Sequence, residues 1–334
     1  MNGAFDYDLP EELIAQEPLA DRSASRLLHL DKTSGEIQHL SFVDAIRFLN
    51  AGDVLVLNDT RVSARRLFGH LETGGAVEAL LTERLEPGRY LALTKPAKKL
   101  TIGRTVDFGD GLACQVTAVK EGGLRELQFE SPTADKLIEQ QGLTPLPPYI
   151  HSILHDPSRY QTVYANSDGS AAAPTAGLHF TDQILESAAQ KGVKIAKVTL
   201  DVSIDTFRPM TADRVEDHEM HGERCAISPE TAREVNEREG RVIAVGTTTV
   251  RTLESFASES GEIEPGEAVT KIFIHPGYRF KLVDGMFTNF HMPKTTMLLM
   301  ISALVGAENV REAYNQAVER RYRFLSFGDS MLIC

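Results

Sequence analysis

An α/β core domain interrupted by an inserted small antiparallel β-barrel is the fold class that this 334-residue sequence predicts, and three observations carry it. Buried-type strands alternate with capped helices on both flanks of the chain. Between the flanks, from about Leu67 to Phe129, short apolar runs are separated by Gly74-Gly75, Pro87-Gly88, Gly109-Asp110-Gly111 and Gly122-Gly123, with no helix-length periodicity. Pro145-Leu146-Pro147-Pro148-Tyr149 then marks a stiff joint. The expected division is 1–65 with 146–334 for the discontinuous core, and 66–145 for the barrel.

Each flanking element has its own signal. Asp53 to Leu57 (DVLVL) reads as a buried strand running into Asn58-Asp59-Thr60-Arg61. Thr181 caps a helix that closes near Gly192, and Val193 to Leu200 follows as a strand. Ser228, with Pro229 at the first helical position, opens a helix expected to end at Gly240, before a strand from Val242 to Val245. After Gly246-Thr247-Thr248-Thr249 a further helix carries Val250, Leu253 and Phe256 or Ala257 on one face. The apolar run Met297 to Gly306 is about half what a bilayer crossing requires and reads as a buried helix. Helix then strand, repeated, makes an α/β layer.

Composition excludes several classes. The odd set Cys114, Cys225 and Cys334, without a CxxC pair, supports neither a disulfide framework nor a zinc site, and fits a reducing cytoplasm. The acidic start MNGAFDYDLPEELIAQEP does not read as an export signal. A net charge of −12 opposes non-specific nucleic-acid binding over the whole surface, leaving local basic clusters at Arg61, Arg65 and Arg66, at Lys95, Lys98, Lys99 and Arg104, and at Arg320, Arg321 and Arg323.

Several segments carry candidate chemistry. In Ala171 to Thr181 (AAAPTAGLHFT), small residues including Gly177 allow close backbone approach, Thr175 offers a hydroxyl, and His179 titrates near neutrality; a satisfied core histidine is the competing reading. The helix start at Gly246, Thr247, Thr248 and Thr249 offers free amides and hydroxyls to an anion, with Arg251 one turn inside. Asn58, Asp59, Thr60 and Arg61 follow a buried strand at its C-terminal end, where open α/β sheets place ligands. In Phe287 to Pro293 (FTNFHMP), Asn289 and His291 share one face if the segment is extended; recognition of a base and a satisfied polar pair are both open. His218 and His221 lack the HExxH pattern and a third ligand, so no metal is expected. Neither GxGxxG, a P-loop nor a GxSxG elbow is present.

Taken together, these segments resemble the S-adenosylmethionine:tRNA ribosyltransferase-isomerase family of queuosine biosynthesis. The resemblance runs from Phe5-Asp6-Tyr7-Asp8-Leu9-Pro10 and Asp21-Arg22-Ser23 through Gly52 to Val62, Pro145 to Ile150, Tyr160 to Tyr164, Ala173 to Phe180, Gly246-Thr247-Thr248 and Thr288 to His291, to Tyr322-Arg323-Phe324 and Gly328-Asp329. It implies an α/β domain with an inserted barrel. The implied reaction transfers and isomerises the ribosyl group of S-adenosylmethionine onto 7-aminomethyl-7-deazaguanine at the tRNA wobble position. Epoxyqueuosine-tRNA forms, adenine and methionine leave, and no metal or separate redox cofactor is needed.

Such chemistry needs a base beside the sulfonium, donors for the leaving groups and a pocket for a splayed-out base. His179 is the expected proton-transfer group, with Asp59 its rival and Arg61 beside it. Gly246 to Thr249 would bind the methionine carboxylate or a tRNA phosphate, Tyr149 or Tyr322 would stack on a base, and Asn289 with His291 would read base or ribose edges. The chain departs from the family's VTLHVGxGTF motif, reading Val198 to Phe207 as VTLDVSIDTF. Asp201 and Asp205 would repel an anion there. That departure motivates the alternative of a diverged, non-catalytic tRNA- or nucleoside-binding paralogue. A cytoplasmic monomer, not membrane-bound, completes the expectation.

Overall fold

Four parallel strands form the centre of the larger unit, three of them so apolar that neither face can be given to water. Lys194–Leu200, Val54–Asn58, Val242–Val245 and Gly285–Asn289 lie side by side in that order. The last three are buried along their whole length, as parallel strands covered on both faces must be. Along Val54–Asn58 the side chains alternate: Val54 and Val56 join one apolar cluster and Leu55 and Leu57 the other. Val250 and Leu253 of helix Thr247–Phe256 belong to the first cluster, and Ile184 and Ala188 of helix Asp182–Gln190 to the second. Antiparallel strands Glu223–Ile227 and Gly266–Thr270 extend one side, and Ser330–Ile333, Arg26–Leu30 and Ile37–Ser41 the other, making a nine-stranded sheet.

The structure is a computed structural model and describes residues 6–203, 218 and 220–334. Phe5, Ile204 to Phe207 (with Asp205) and Glu219 therefore lie outside the described residues. The helix starts follow their capping residues: Thr181 accepts from the Ile184 amide at 3.2 Å and Ser228 from the Thr231 amide at 3.1 Å. The helix after Ser228 stops at Asn236, short of Gly240. Gly240 instead packs against Asp53 and Gly52, where a Cβ would collide. Met297 lies in the buried helix Thr296–Val305. Among the described residues no helix is long and apolar enough to cross a membrane.

The chain separates into a unit of Met1–Thr60, Pro147–Ser167 and Ala173–Cys334, and a second of Arg61–Leu146 with Asp168–Ala172. The second contains a closed six-stranded barrel, ordered Arg125–Phe129, Arg89–Lys95, Ala76–Glu86, Arg65–Leu71, Thr105–Asp107 and Ala113–Val119. All its pairings are antiparallel, and closure leaves no strand edge free. Leu67, Val77, Ala79, Leu81, Val116 and Leu127 fill it.

Replacing Leu55, fully buried between sheet and helix, by Ala is expected to destabilise the larger unit by about 2–5 kcal/mol. Denaturant unfolding of that unit checks this, and a loss below about 1 kcal/mol would contradict the close packing described.

Candidate active site

The chain runs from Val54–Asn58 first to the neighbour on one side, Lys194–Leu200, and later to the neighbour on the other, Val242–Val245. A crevice opens at such a reversal, beyond the carboxyl ends of the strands. Three of the four parallel strand ends contribute here. Val202 follows one, Gly246, Thr247 and Thr248 follow another, and Thr288 and Asn289 end the third, with His291 just beyond it. Tyr149, Ala173 to Ala176, Met292, Thr295, Met297, Leu325 and Ser326 complete the cavity wall. No Asp, Glu, Lys or Arg is among these residues.

Gly246, at φ 93°, makes the strand-to-helix turn in a region that other residues rarely adopt, and its amide donates to the Phe287 carbonyl at 2.8 Å. Helix Thr247–Phe256 then begins without a side-chain cap. The three hydroxyls are used differently. Thr249 donates to the Val245 carbonyl at 2.7 Å, Thr248 accepts from Asn58 Nδ2 at 3.2 Å, and half-buried Thr247 stands on the cavity wall.

His179, in the single turn Thr175–His179, is buried behind Asn289. Its Nε2 is 3.2 Å from Asn289 Nδ2 and its Nδ1 2.8 Å from Ser25 Oγ. Asn289 Nδ2 is also 3.1 Å from the Leu325 carbonyl, which can only accept, so the amide orientation is fixed. His179 Nε2 is then the acceptor and Nδ1–H the donor to Ser25. Burial, with the charges of Arg323 and Arg22, holds the His179 imidazole down to about 3, neutral at physiological pH. Burial does the same to His291, whose Nε2 is 2.7 Å from Thr288 Oγ1.

The cavity brings together Tyr149, Thr175, Gly246, Thr247, Thr248, Asn289 and His291, all expected from sequence. Tyr149 meets Ser326 there, hydroxyl to hydroxyl, at 2.8 Å. Asp59 is elsewhere: it accepts from Thr199 Oγ1 at 2.7 Å and lines a groove with Ser167, Lys197 and Ser228. Among the described residues, His179 lines a small cleft with Ser25, Leu178 and Ser326, so neither it nor Asp59 is on the wall that carries Thr247. Asn58 spends its amide on Leu200 and Thr248, and Thr60 donates to Asp201 Oδ1 at 3.1 Å. Gly177 packs against the Tyr164 hydroxyl, where a Cβ would collide. Arg251 is buried in an ion pair with Glu223. Tyr322 is buried, with Arg26 over its ring at 4.0 Å. Arg61 belongs to the barrel unit and faces Asp168 at 3.8 Å. Sequence reasoning missed Ser25, Thr288 and Ser326, whose only signal was their place inside or beside segments already singled out. Among the described residues no group of three His, Cys, Asp or Glu side chains is placed to hold a metal.

An α/β sheet with its cavity at the strand ends, in a chain with a separate closed barrel, defines the class of protein. The family described as queuosine biosynthesis protein matches residues 2–333. The chain belongs to that family. Relatives named S-adenosylmethionine:tRNA ribosyltransferase-isomerase include one from Symbiobacterium thermophilum, 51% identical over 98% of both chains, and one from Macrococcus caseolyticus, also 51% identical over 98% of both. A solved structure, an S-adenosylmethionine tRNA ribosyltransferase from Thermotoga maritima, is 38% identical with a TM-score of 0.57, and the match covers 99% of this chain and 100% of that one.

A neutral buried imidazole gains a proton on unfolding, so the unfolded state binds more protons below its ordinary value of 6.5 and stability falls as pH drops from there toward about 3. Replacing His179 by Gln removes one such group. The stability gap between wild type and variant should narrow by up to about 1.4 kcal/mol per pH unit below about 6.5. Urea unfolding at a series of pH values checks it, and a gap independent of pH would contradict the buried neutral imidazole.

Proposed function

We propose that the chain is a tRNA-modifying transferase that uses S-adenosylmethionine as co-substrate. It transfers and isomerises the ribosyl group onto the aminomethyl group of 7-aminomethyl-7-deazaguanine in the tRNA anticodon, giving epoxyqueuosine-tRNA and releasing adenine and methionine. Membership of the family and the names of relatives about half identical over nearly the whole chain support this reading. The single structural observation that carries it is the cavity at the strand reversal, whose described wall carries hydroxyls, an amide, an imidazole and a helix start, and no Asp, Glu, Lys or Arg.

Within that cavity the amides at the start of helix Thr247–Phe256 suit the methionine carboxylate, with the helix dipole adding to the attraction. Tyr149 offers an aromatic wall for a base, and Thr175 a hydroxyl. His291 is the imidazole on the wall, and we assign proton transfer to it rather than to His179. The charge it takes on must be stabilised locally, first of all by Thr288. The enzyme works as a cytoplasmic monomer without metal or redox cofactor; three free cysteines support a reducing compartment.

Incubation with S-adenosylmethionine and precursor-bearing tRNA is expected to release adenine and methionine in equal amounts, with a chelator leaving the rate unchanged. Chromatography of the small molecules checks this. S-adenosylhomocysteine as product would contradict the reading in favour of methyl transfer, and intact S-adenosylmethionine in favour of binding alone.

A further inference from the structure

Of the buried side-chain polar atoms that no described residue satisfies, one belongs to a residue that lines the cavity: Oδ1 of Asn289, a residue only 2% exposed. A buried acceptor left without a donor carries a penalty that a ligand can remove. The amide has no freedom to turn away. Its Nδ2 is held by the Leu325 carbonyl at 3.1 Å and by His179 Nε2 at 3.2 Å, and His179 is held in turn by Ser25 at 2.8 Å. A chain of three side chains from separate segments thus fixes the orientation of one unsatisfied acceptor on a residue that lines the cavity.

We infer that Ser25, His179 and Asn289 form a positioning chain that presents Asn289 Oδ1 to the exocyclic amine of the adenine of S-adenosylmethionine; the inference rests on the functional reading above. Two features select the adenine. Among the described residues, the wall around Asn289 carries no Asp, Glu, Lys or Arg, which suits an uncharged ring. A guanine-type edge presents two adjacent donors and calls for a carboxylate, whereas adenine presents one amine beside ring acceptors, matching one fixed amide oxygen with the hydroxyls of Thr175 and Thr247 on the same wall. His179 is a positioning residue in this arrangement: it touches Asn289 and holds its orientation without meeting substrate.

The test pairs ligand and protein changes on the full-length chain. Binding of S-adenosylmethionine and of its analogue with hydrogen in place of the 6-amino group is measured by calorimetry without tRNA, for wild type, Asn289→Ala, His179→Ala and His179→Gln. Wild type should prefer the amine by about tenfold or more. Asn289→Ala and His179→Ala should bind the two ligands equally, while His179→Gln, which can still accept from Asn289 and donate to Ser25, should keep most of the preference. Equal weakening of both ligands by Asn289→Ala overturns the inference, and so does a wild type that does not distinguish them. Adenine release by wild type with precursor tRNA separates the two claims: release without amine discrimination defeats only the positioning chain, and failure to bind or consume S-adenosylmethionine at all defeats the functional reading with it.

Discussion

The hydrogen bonds of one buried amide, Asn58, hold the strand ends on which the site is built. A parallel ladder stops at the carboxyl ends of its strands, leaving peptide groups that water cannot reach. Asn58 Nδ2 donates to the Leu200 carbonyl at 3.0 Å and to Thr248 Oγ1 at 3.2 Å, while Oδ1 accepts from the Leu200 amide at 3.0 Å and the Thr60 amide at 3.2 Å. Its four bonds use the whole capacity of the group. One side chain thereby locks the end of the neighbouring strand and the first turn of helix Thr247–Phe256, and so sets Val202 and Thr248 on the cavity wall.

Among the described residues, charge is kept off that wall and paired below it. Arg251, one turn along the helix, pairs with Glu223, and Glu223 Oε1 also accepts the Ser203 amide at 3.1 Å. Removing either partner would strand a buried charge, which is why such a pair fixes geometry more than it adds stability. Asp201 is likewise engaged, by the Thr60 hydroxyl. The described wall is left to hydroxyls, one amide, one neutral imidazole and apolar side chains, an environment in which a hydrogen bond is strong and an unmatched polar atom expensive.

Much of the architecture was legible because it rests on local pattern. The DVLVL run, the caps at Thr181 and Ser228, and the glycine-punctuated stretch from Leu67 to Phe129 each state their structure within a few residues. The site was legible as segments, since residues after a buried strand or before a helix are drawn to the strand ends. Individual roles were not. Asn58 and Asp59 are adjacent, yet one reaches across to Leu200 while the other turns to Thr199, and four polar residues in a row do not show which one meets a ligand. His179 looked like a base because its partners, Ser25 and Asn289, are far away in the chain. Tyr322 looked like a stacking platform, yet it is buried, with Arg26 over its ring.

On the proposal above, the cavity at the strand reversal holds the nucleoside end of the co-substrate against a fixed amide. A crystal structure with an unreactive S-adenosylmethionine analogue, its sulfonium replaced by carbon or nitrogen, tests this most directly. The adenine ring should lie in this cavity with its exocyclic nitrogen about 3 Å from Asn289 Oδ1. An adenine bound instead in the groove beside Asp59 and Thr199, with the Asn289 cavity empty, would contradict it.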